Sequence, residues 1–416
     1  MRSNYKKLGQ YIREVSVKNK DLKVELLLGV SITKKFIPSI ANTVGTDMSK
    51  YKIVKRHQFA YGPVTSRNGE KISVAHLNEE KCLVSTSYTV FEVIDAKELD
   101  PEYLMMWFSR SEFDRYARYM SHGTVRELFG WEEMCDVELP VPHIDKQREI
   151  VREYNVVNER IALNEQLTQK LENTAQAIYK QWFVEFEFPI SKEYAESINK
   201  PELEGKPYQS SGGCFKYCEE LEQEIPTIWN TETIEYFSKV MKSGGTPKRD
   251  IKAYWNSSDI PWLKTGEVAN CVITDADEYI SELGLKESSA KVFPKDTVLM
   301  AMYGDGKTKG QVGYLRKEAA TNQACCSMEC NDKYDASYLF YYLRFNYQEI
   351  VRSAIGGAQE NLSKGLIENI KILQPAKSTI LSLPFNQFID MSENLVNENK
   401  ALLKLREIIL QKVSKV

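Results

Sequence analysis

Histidine is scarce in this chain, and no long apolar run occurs anywhere in its 416 residues. The four histidines, His57, His76, His122 and His143, stand apart from one another. They cannot complete a metal site with the eight scattered cysteines, whose nearest groupings are Cys214/Cys218 and Cys325/Cys326/Cys330. Neither grouping has the paired-knuckle spacing that tetrahedral zinc requires. No stretch approaches the roughly 18 apolar residues of a membrane span. The start, MRSNYKKLGQYIREV, lacks the apolar centre of a secretory signal. A cytoplasmic protein without membrane contact is expected. Catalytic signatures are missing too. There is no Asn-Pro-Pro-Tyr or Asp-Pro-Pro-Tyr tetrapeptide, and DPEY at 100–103 only approaches one. No glycine-rich dinucleotide fingerprint or Gly-x-Ser-x-Gly elbow is found. YGDGKTKG (303–310) contains Gly-Lys-Thr, but Ala301 stands where a phosphate loop needs its first glycine. These exclusions predict a chain that is no enzyme and holds no metal or cofactor itself.

What is present is a globular composition, 42% hydrophobic and 27% charged, long enough for two domains. The net charge of −3 conceals a strong asymmetry. Residues 239–264 carry net +4, 303–317 net +3 and 52–71 net +4, whereas 193–224 carry net −5. Basic, glycine-containing segments inside globular units are the footprint of nucleic-acid contact, and local charge matters more than the total.

The second half repeats the plan of the first. Tyr103-Leu104 returns as Tyr338-Leu339, 235 residues later, and Pro142 closing ELPVP returns as Pro375 closing KILQP, 233 later. Each proline stands shortly before a stretch of helical spacing. Ile150, Tyr154, Val157, Ile161, Asn164, Thr168, Leu171, Ala175, Ile178 and Trp182 alternate 4 and 3, with no Gly or Pro between Asp145 and Trp182. That is a long helix with a coiled-coil seam containing polar residues. A second seam runs through Phe388, Met391, Leu395, Glu398, Leu402, Leu405 and Ile409. The expected packing residues are Ile150, Val157, Ile161, Leu171 and Ile178 against Leu395, Leu402, Leu405 and Ile409. The predicted division is a mixed α/β unit at 1–144, a long helix at 145–190, a polar, acidic linker over the surface at 191–232, a second unit at 233–376 and a second helix at 377–416. EYLMMWFSRSEFDRYARYM (102–120) reads as an amphipathic helix, and DTVLMAMYG (296–304) and QVGYLR (311–316) as strands joined by a loop.

Three segments suit DNA contact. MKSGGTPKRDIKAYW (241–255) combines a tight glycine turn with Lys248, Arg249 and Lys252, with Trp255 and Trp262 as core residues beneath it. The basic hairpin at 303–310 offers Tyr303, Lys307 and Lys309. FAYGPVTSRNGEKI (59–72) offers Tyr61, Arg67, Asn68 and Lys71, and its Tyr61-Gly62 answers Tyr303-Gly304; Arg and Asn are suited to guanine and adenine edges.

In order and duplicated, these motifs resemble the specificity subunit of Type I restriction–modification enzymes over almost the whole chain. The carriers are SGGTPKR, IPWLKTGEV (260–268), AMYGDGKTKGQVGYL (301–315), ATNQAC (320–325) and GGAQENLS (356–363) in the second half. In the first they are AYGPVTSRNGEKIS (60–73) and VSTSYTVFEV (84–93), with QWFVEFEFP and GKPYQSSGG in the linker. Thr246, Lys264, Asn322 and Gln323, inside those motifs, complete the candidate DNA-binding set. The first half lacks the GGTP loop and the ATNQAC segment, and SHGTVREL (121–128) is a weaker counterpart of GGAQENLS. The resemblance implies an α+β (mixed) fold: two α/β target recognition domains with two long helices as an antiparallel coiled coil, in a pseudo-twofold repeat. It implies binding to a bipartite, asymmetric site in double-stranded DNA. It further implies assembly with two methyltransferase (modification) subunits and with restriction (motor-nuclease) subunits, which would carry S-adenosylmethionine, ATP and Mg. The competing expectation is a coiled-coil protein-binding scaffold without DNA specificity; a self-contained modification enzyme lacks its motifs.

Overall fold

The computed structural model describes residues 5–39, 45–66, 71–122, 127–304, 308–355 and 361–415. It divides into two compact units, Met1–Ala162 with Ala401–Val416, and Leu163–Lys400. Among the described residues no helix is long and apolar enough to cross a membrane.

The first unit is organised on a four-stranded antiparallel sheet. Its strands are Ile12–Val15 (β1), Phe59–Tyr61 (β3), Val74–His76 (β4) and Thr89–Val93 (β6), in the order β1-β6-β3-β4. A separate ladder pairs Lys52–Lys55 (β2) with Lys81–Val84 (β5). Phe59 and Phe91 face each other across β3 and β6 with rings stacked at 4.9 Å, the kind of aromatic pair that stabilises a ladder. Helix α1 (Pro101–Phe108) starts where the Asp100 side chain accepts from the N–H groups of Glu102 and Tyr103, and proline occupies the first turn. The helix expected over 102–120 breaks after α1. Arg110 is extended, its guanidinium lies 4.5 Å from the Trp107 ring centre, and a new helix runs Ser111–Met120. The long helix α2 spans Ile144–Phe183.

The second unit has a five-stranded sheet. Val240–Ser243 (β7), Cys271–Ile273 (β9), Thr297–Ala301 (β10), Val312–Leu315 (β11) and Cys325–Glu329 (β13) are ordered β7-β13-β10-β11-β9. Only the β9–β11 pair is parallel. A second sheet contains Ile260–Leu263 (β8) beside Ala319–Thr321 (β12). Helix α3 (Lys333–Phe345) is capped by Asp332, and α4 is Phe385–Lys412.

The repeated Tyr-Leu pair has a structural cause. The Tyr103 hydroxyl donates to Pro140 O at 3.2 Å, and the Tyr338 hydroxyl donates to Leu373 O at 2.8 Å. Each tyrosine thereby ties its helix, α1 or α3, to the strand that precedes a long helix, Glu138–Pro140 or Lys371–Gln374.

In each unit, stretches of α2 and α4 lie antiparallel. In the first, buried Ile150, Val151 and Val157 share a cluster with Ile409, Leu410 and Val413, Ile161 and Leu402 pack at its edge, and Lys412 pairs with Glu153 at 2.6 Å. In the second, Asn164 is 0% exposed and its Nδ2 donates to Glu398 Oε2 (3.1 Å) and Asn399 Oδ1 (2.9 Å). The spacing of these asparagines, 235 residues, equals that of the repeated tyrosines. Leu171, Ile178 and Leu395 are half-buried. Leu405, expected in the seam, is 44% exposed, and Met391 and Thr168 are exposed as well. The α4 seam instead runs through Ser392, Leu395, Asn399, Leu402, Arg406 and Ile409, with buried Val413 just past its end. It keeps the expected heptad but takes the neighbouring position every second step: Arg406 is half-buried where Leu405 is exposed, and Asn399 joins the expected Glu398 in bonding to Asn164.

Three further expectations are corrected. Residues 377–382 form a short separate helix, since Leu383 is extended before Pro384 and α4 starts after it. Helix α2 stops at Phe183, where the N–H groups of Val184 and Glu185 turn back to Lys180 O and Phe186 takes φ 53°. The segment 191–232 is not a surface linker: Tyr208, Ile225 and Trp229 are buried in the core of the second unit, and Phe188 stacks on Trp229 at 4.4 Å. Its acidic residues form only the outer face.

Candidate nucleic-acid interface

In the second unit, β7 runs into Gly244-Gly245-Thr246-Pro247, which crosses the turn between β12 and β13. Gly245 N–H donates to Thr321 O at 2.9 Å. A Cβ at position 244 would stand 2.2 Å from Thr321 O and 2.5 Å from Asn322 O, so the crossing requires glycine. Thr246 Oγ1 donates to Gln323 Oε1 at 2.6 Å, joining the two segments side chain to side chain. Asn322 holds the turn itself: its Oδ1 accepts from Ala324 N–H at 3.1 Å and its N–H donates to Leu263 O at 3.0 Å. Met302 N–H donates to Ala324 O at 2.8 Å, which brings exposed Tyr303 beside the same turn.

The basic side chains are braced from below. Trp262 and Trp255 meet edge to face at 4.9 Å, and their indole N–H groups donate to Gly245 O and Lys248 O, each at 3.0 Å. The Arg249 guanidinium lies 3.6 Å from the Trp255 ring centre and 4.7 Å from that of Trp262. Arg249 and Lys264 both pair with Glu278, and a hydrogen bond from Lys264, joined by Arg249, holds that carboxyl below its ordinary range. Lys248 and Lys252 are exposed. The fold therefore gathers Thr246, Lys248, Arg249, Lys264, Asn322, Gln323 and Tyr303 around one edge, with Lys252 on the short helix that carries Trp255. Trp262 is buried as core, and Trp255 is the half-buried platform under Arg249. Glu278 is the residue that sequence reading missed; nothing in DADEYIS marks it as the point where two distant cations converge.

The 303–310 hairpin contributes less charge than its composition suggests. Lys307 lies outside the described residues, and Lys309 is half-buried. Arg316, counted in that basic window, has a side chain only 8% exposed and binds Asp296 (3.0 Å), Asp390 (2.7 Å) and Glu393 (2.7 Å). It ties β11 to α4 and is not available to a ligand.

In the first unit the expected hairpin is not built for contact at Tyr61. That side chain is 0% exposed, packs against Phe91 and Phe129, and burial raises its hydroxyl pKa far above the usual value. Alternation along β3 turns it inward. The correspondence with Tyr303 also fails on register. Tyr61 is a strand residue opposite Thr89, as Ala301 is opposite Cys325, whereas Tyr303 lies beyond its strand. Arg67 and Asn68 lie outside the described residues, and Lys71 is exposed.

Comparison with known proteins agrees with this duplicated layout. The family model for the Type I restriction modification DNA specificity domain matches residues 34–173 and again 226–387. The Type I restriction enzyme HindI specificity subunit of Haemophilus influenzae is 24% identical over 431 residues, spanning 92% of both chains. The MjaIX specificity subunit of Methanocaldococcus jannaschii is 25% identical over 312 residues, covering 74% of this chain and 66% of its own length. The crystal structure of the Type I restriction–modification S subunit from M. genitalium shares the fold, with a TM-score of 0.58 at 13% identity over 99% of this chain and 95% of that one. With one match on each unit, together covering more than half of its length, this chain belongs to the Type I restriction–modification DNA specificity family.

Proposed function

We propose that this chain is the non-catalytic subunit that reads a two-part, asymmetric DNA site for a Type I restriction–modification complex. Each unit docks on one part, and the pair of long helices carries both units and recruits methyltransferase and restriction subunits. S-adenosylmethionine, ATP and Mg belong to those partners. The single observation that carries this reading is the second-unit edge: a glycine crossing locked to the 322–324 turn, with Arg249 and Lys264 braced on tryptophan and Glu278. Pre-positioned cations beside hydroxyl and amide side chains supply both phosphate binding and base readout. A protein-binding scaffold would explain the helices but would leave this edge without a use.

The test is DNA binding by the assembled complex across a range of salt concentrations. Lys248→Ala with Arg249→Ala should weaken binding and lower the salt slope by about 2, roughly one per phosphate contact, while leaving assembly with the methyltransferase intact. Unchanged affinity and slope would remove this edge from the interface.

A further inference from the structure

We infer that the turn Ser85–Tyr88, flanked by Lys18 and Lys52, is the DNA-contacting edge of the first unit and the counterpart of the Asn322–Cys325 turn in the second. This rests on the proposed DNA-reading function and replaces the 59–72 hairpin as the principal contact of that unit.

The two units share more than their sequences reveal. The order β1-β6-β3-β4 in the first matches β7-β13-β10-β11 in the second, antiparallel at every step. In that frame β6 is the equivalent of β13 and Thr89 answers Cys325, so the turn entering β6 occupies the place of the Asn322 turn, set one residue further from its strand. Their hydrogen bonding is the same. Tyr88 N–H donates to Ser85 O at 3.1 Å, as Cys325 N–H donates to Asn322 O at 3.3 Å. Ser87 N–H donates to Ser85 Oγ at 3.4 Å, as Ala324 N–H donates to Asn322 Oδ1 at 3.1 Å. Serine thus does at 85 what asparagine does at 322. The first half has no ATNQAC segment, yet it builds the same turn from Ser-Thr-Ser.

The neighbouring segments differ by one strand. The chain leaving β1 through Ser16–Lys20 lies along β2, with Ile53 N–H donating to Val17 O at 2.7 Å and Asn19 N–H to Tyr51 O at 3.0 Å, and β2 pairs with β5, the strand entering the turn. The glycine crossing that leaves β7 meets β12, the strand entering its own turn, directly. Lys52 Nζ donates to Tyr88 O at 2.7 Å, which seats a cation on the turn, and exposed Lys18 stands opposite Lys52 in a backbone pairing. Thr86 and Ser87 are exposed at the tip. Hydroxyls accept from or donate to base edges, and lysines hold phosphate. Equivalent backbone with Ser-Thr-Ser in one unit and Asn-Gln-Ala in the other is what two units reading different sequences require.

The experiment uses the complex assembled with its methyltransferase subunits and a pool of duplexes randomised in sequence, with bound duplexes recovered and sequenced. Wild type should select a two-part motif. Thr86→Ala with Ser87→Ala should relax preference about tenfold or more within one part only. Gln323→Ala should relax the other part. Lys18→Ala should lower the salt slope by about 1 without changing the motif. Thr86→Val, which removes the hydroxyl at constant shape, serves if the double variant melts early or fails to assemble. Wild-type preference in folded, assembled variants, or relaxation of the same part that Gln323→Ala relaxes, overturns the inference and leaves the DNA-reading function standing. Absence of any two-part preference in the wild-type complex overturns both.

Discussion

Gly244→Ala probes the second-unit edge at its tightest point. The added methyl would sit 2.2 Å from both the carbonyl oxygen and Oγ1 of Thr321, and 2.5 Å from Asn322 O. Ordinary carbon–oxygen contacts begin at roughly 3.3 Å, so the crossing must retreat by about 1 Å. Two of the three obstructing atoms are backbone held in β12 and its turn, which leaves little room for local relief. Overpacking of this kind costs about 1–3 kcal/mol. In a unit of this size that lowers Tm by about 2–12 °C, at roughly 2–4 °C per kcal/mol. The retreat also breaks the Gly245 N–H bond to Thr321 O and pulls Thr246 off Gln323, displacing Arg249 from its tryptophan platform. Specific DNA affinity of the assembled complex should fall at least about tenfold, the worth of one good base contact. Assembly with the methyltransferase should survive, because the long helices are untouched. Thermal melting and equilibrium DNA binding on the same preparation make the test. Wild-type Tm together with wild-type affinity would refute the crossing as a supporting element of the interface.

Other perturbations follow from the same structure. Glu278→Ala frees Arg249 and Lys264 and should change stability by no more than about 1 kcal/mol, as for other exposed ion pairs. Non-specific DNA binding should rise relative to specific binding, and an unchanged ratio in a competition assay would show that Glu278 does not orient the cations. Asn164→Ala strips the donor from Glu398 and Asn399 and should cost about 1–3 kcal/mol in denaturant unfolding; a wild-type midpoint would mean that the pair is not buried in solution. His76 should titrate at about 4 in the native protein, lowered from 6.5 by burial and then by His57. Between those values the unfolded chain binds the extra proton, so stability falls as pH drops from about 6.5 to 4, by about 3 kcal/mol. His76→Phe should flatten that slope, and an NMR titration of the His76 ring near 6.5 would contradict the burial.

Much of the architecture was legible because it rests on periodicity and punctuation. Both long helices, the strands flanking the 303–310 loop and the repeated Tyr-Leu pair follow from spacing alone. The errors share a cause: side-chain direction depends on register, which composition does not report. Tyr61 reads as an exposed hairpin aromatic until its partner is known to be Thr89. Leu405 reads as a seam residue because it is apolar, whereas Arg406 beside it is the half-buried one, and polar Asn399 joins the seam through a bond to a residue 235 positions away. The acidic 191–232 segment hid Tyr208 and Trp229, whose burial outweighs the polar composition around them. Of the proposed DNA edges, the basic GGTP loop was visible, whereas the Ser85–Tyr88 turn stood inside VSTSYTVFEV with nothing to mark it as a counterpart of Asn322–Cys325, because their likeness lies in hydrogen bonds and not in residue identity.

The proposed function requires one chain to read two separate stretches of DNA. The most direct measurement is a base-resolution map of methylation in DNA modified by the chain assembled with its methyltransferase subunits. Two short sequence elements separated by a fixed, unread gap are the predicted result. A single continuous motif, or methylation without sequence preference, would contradict it.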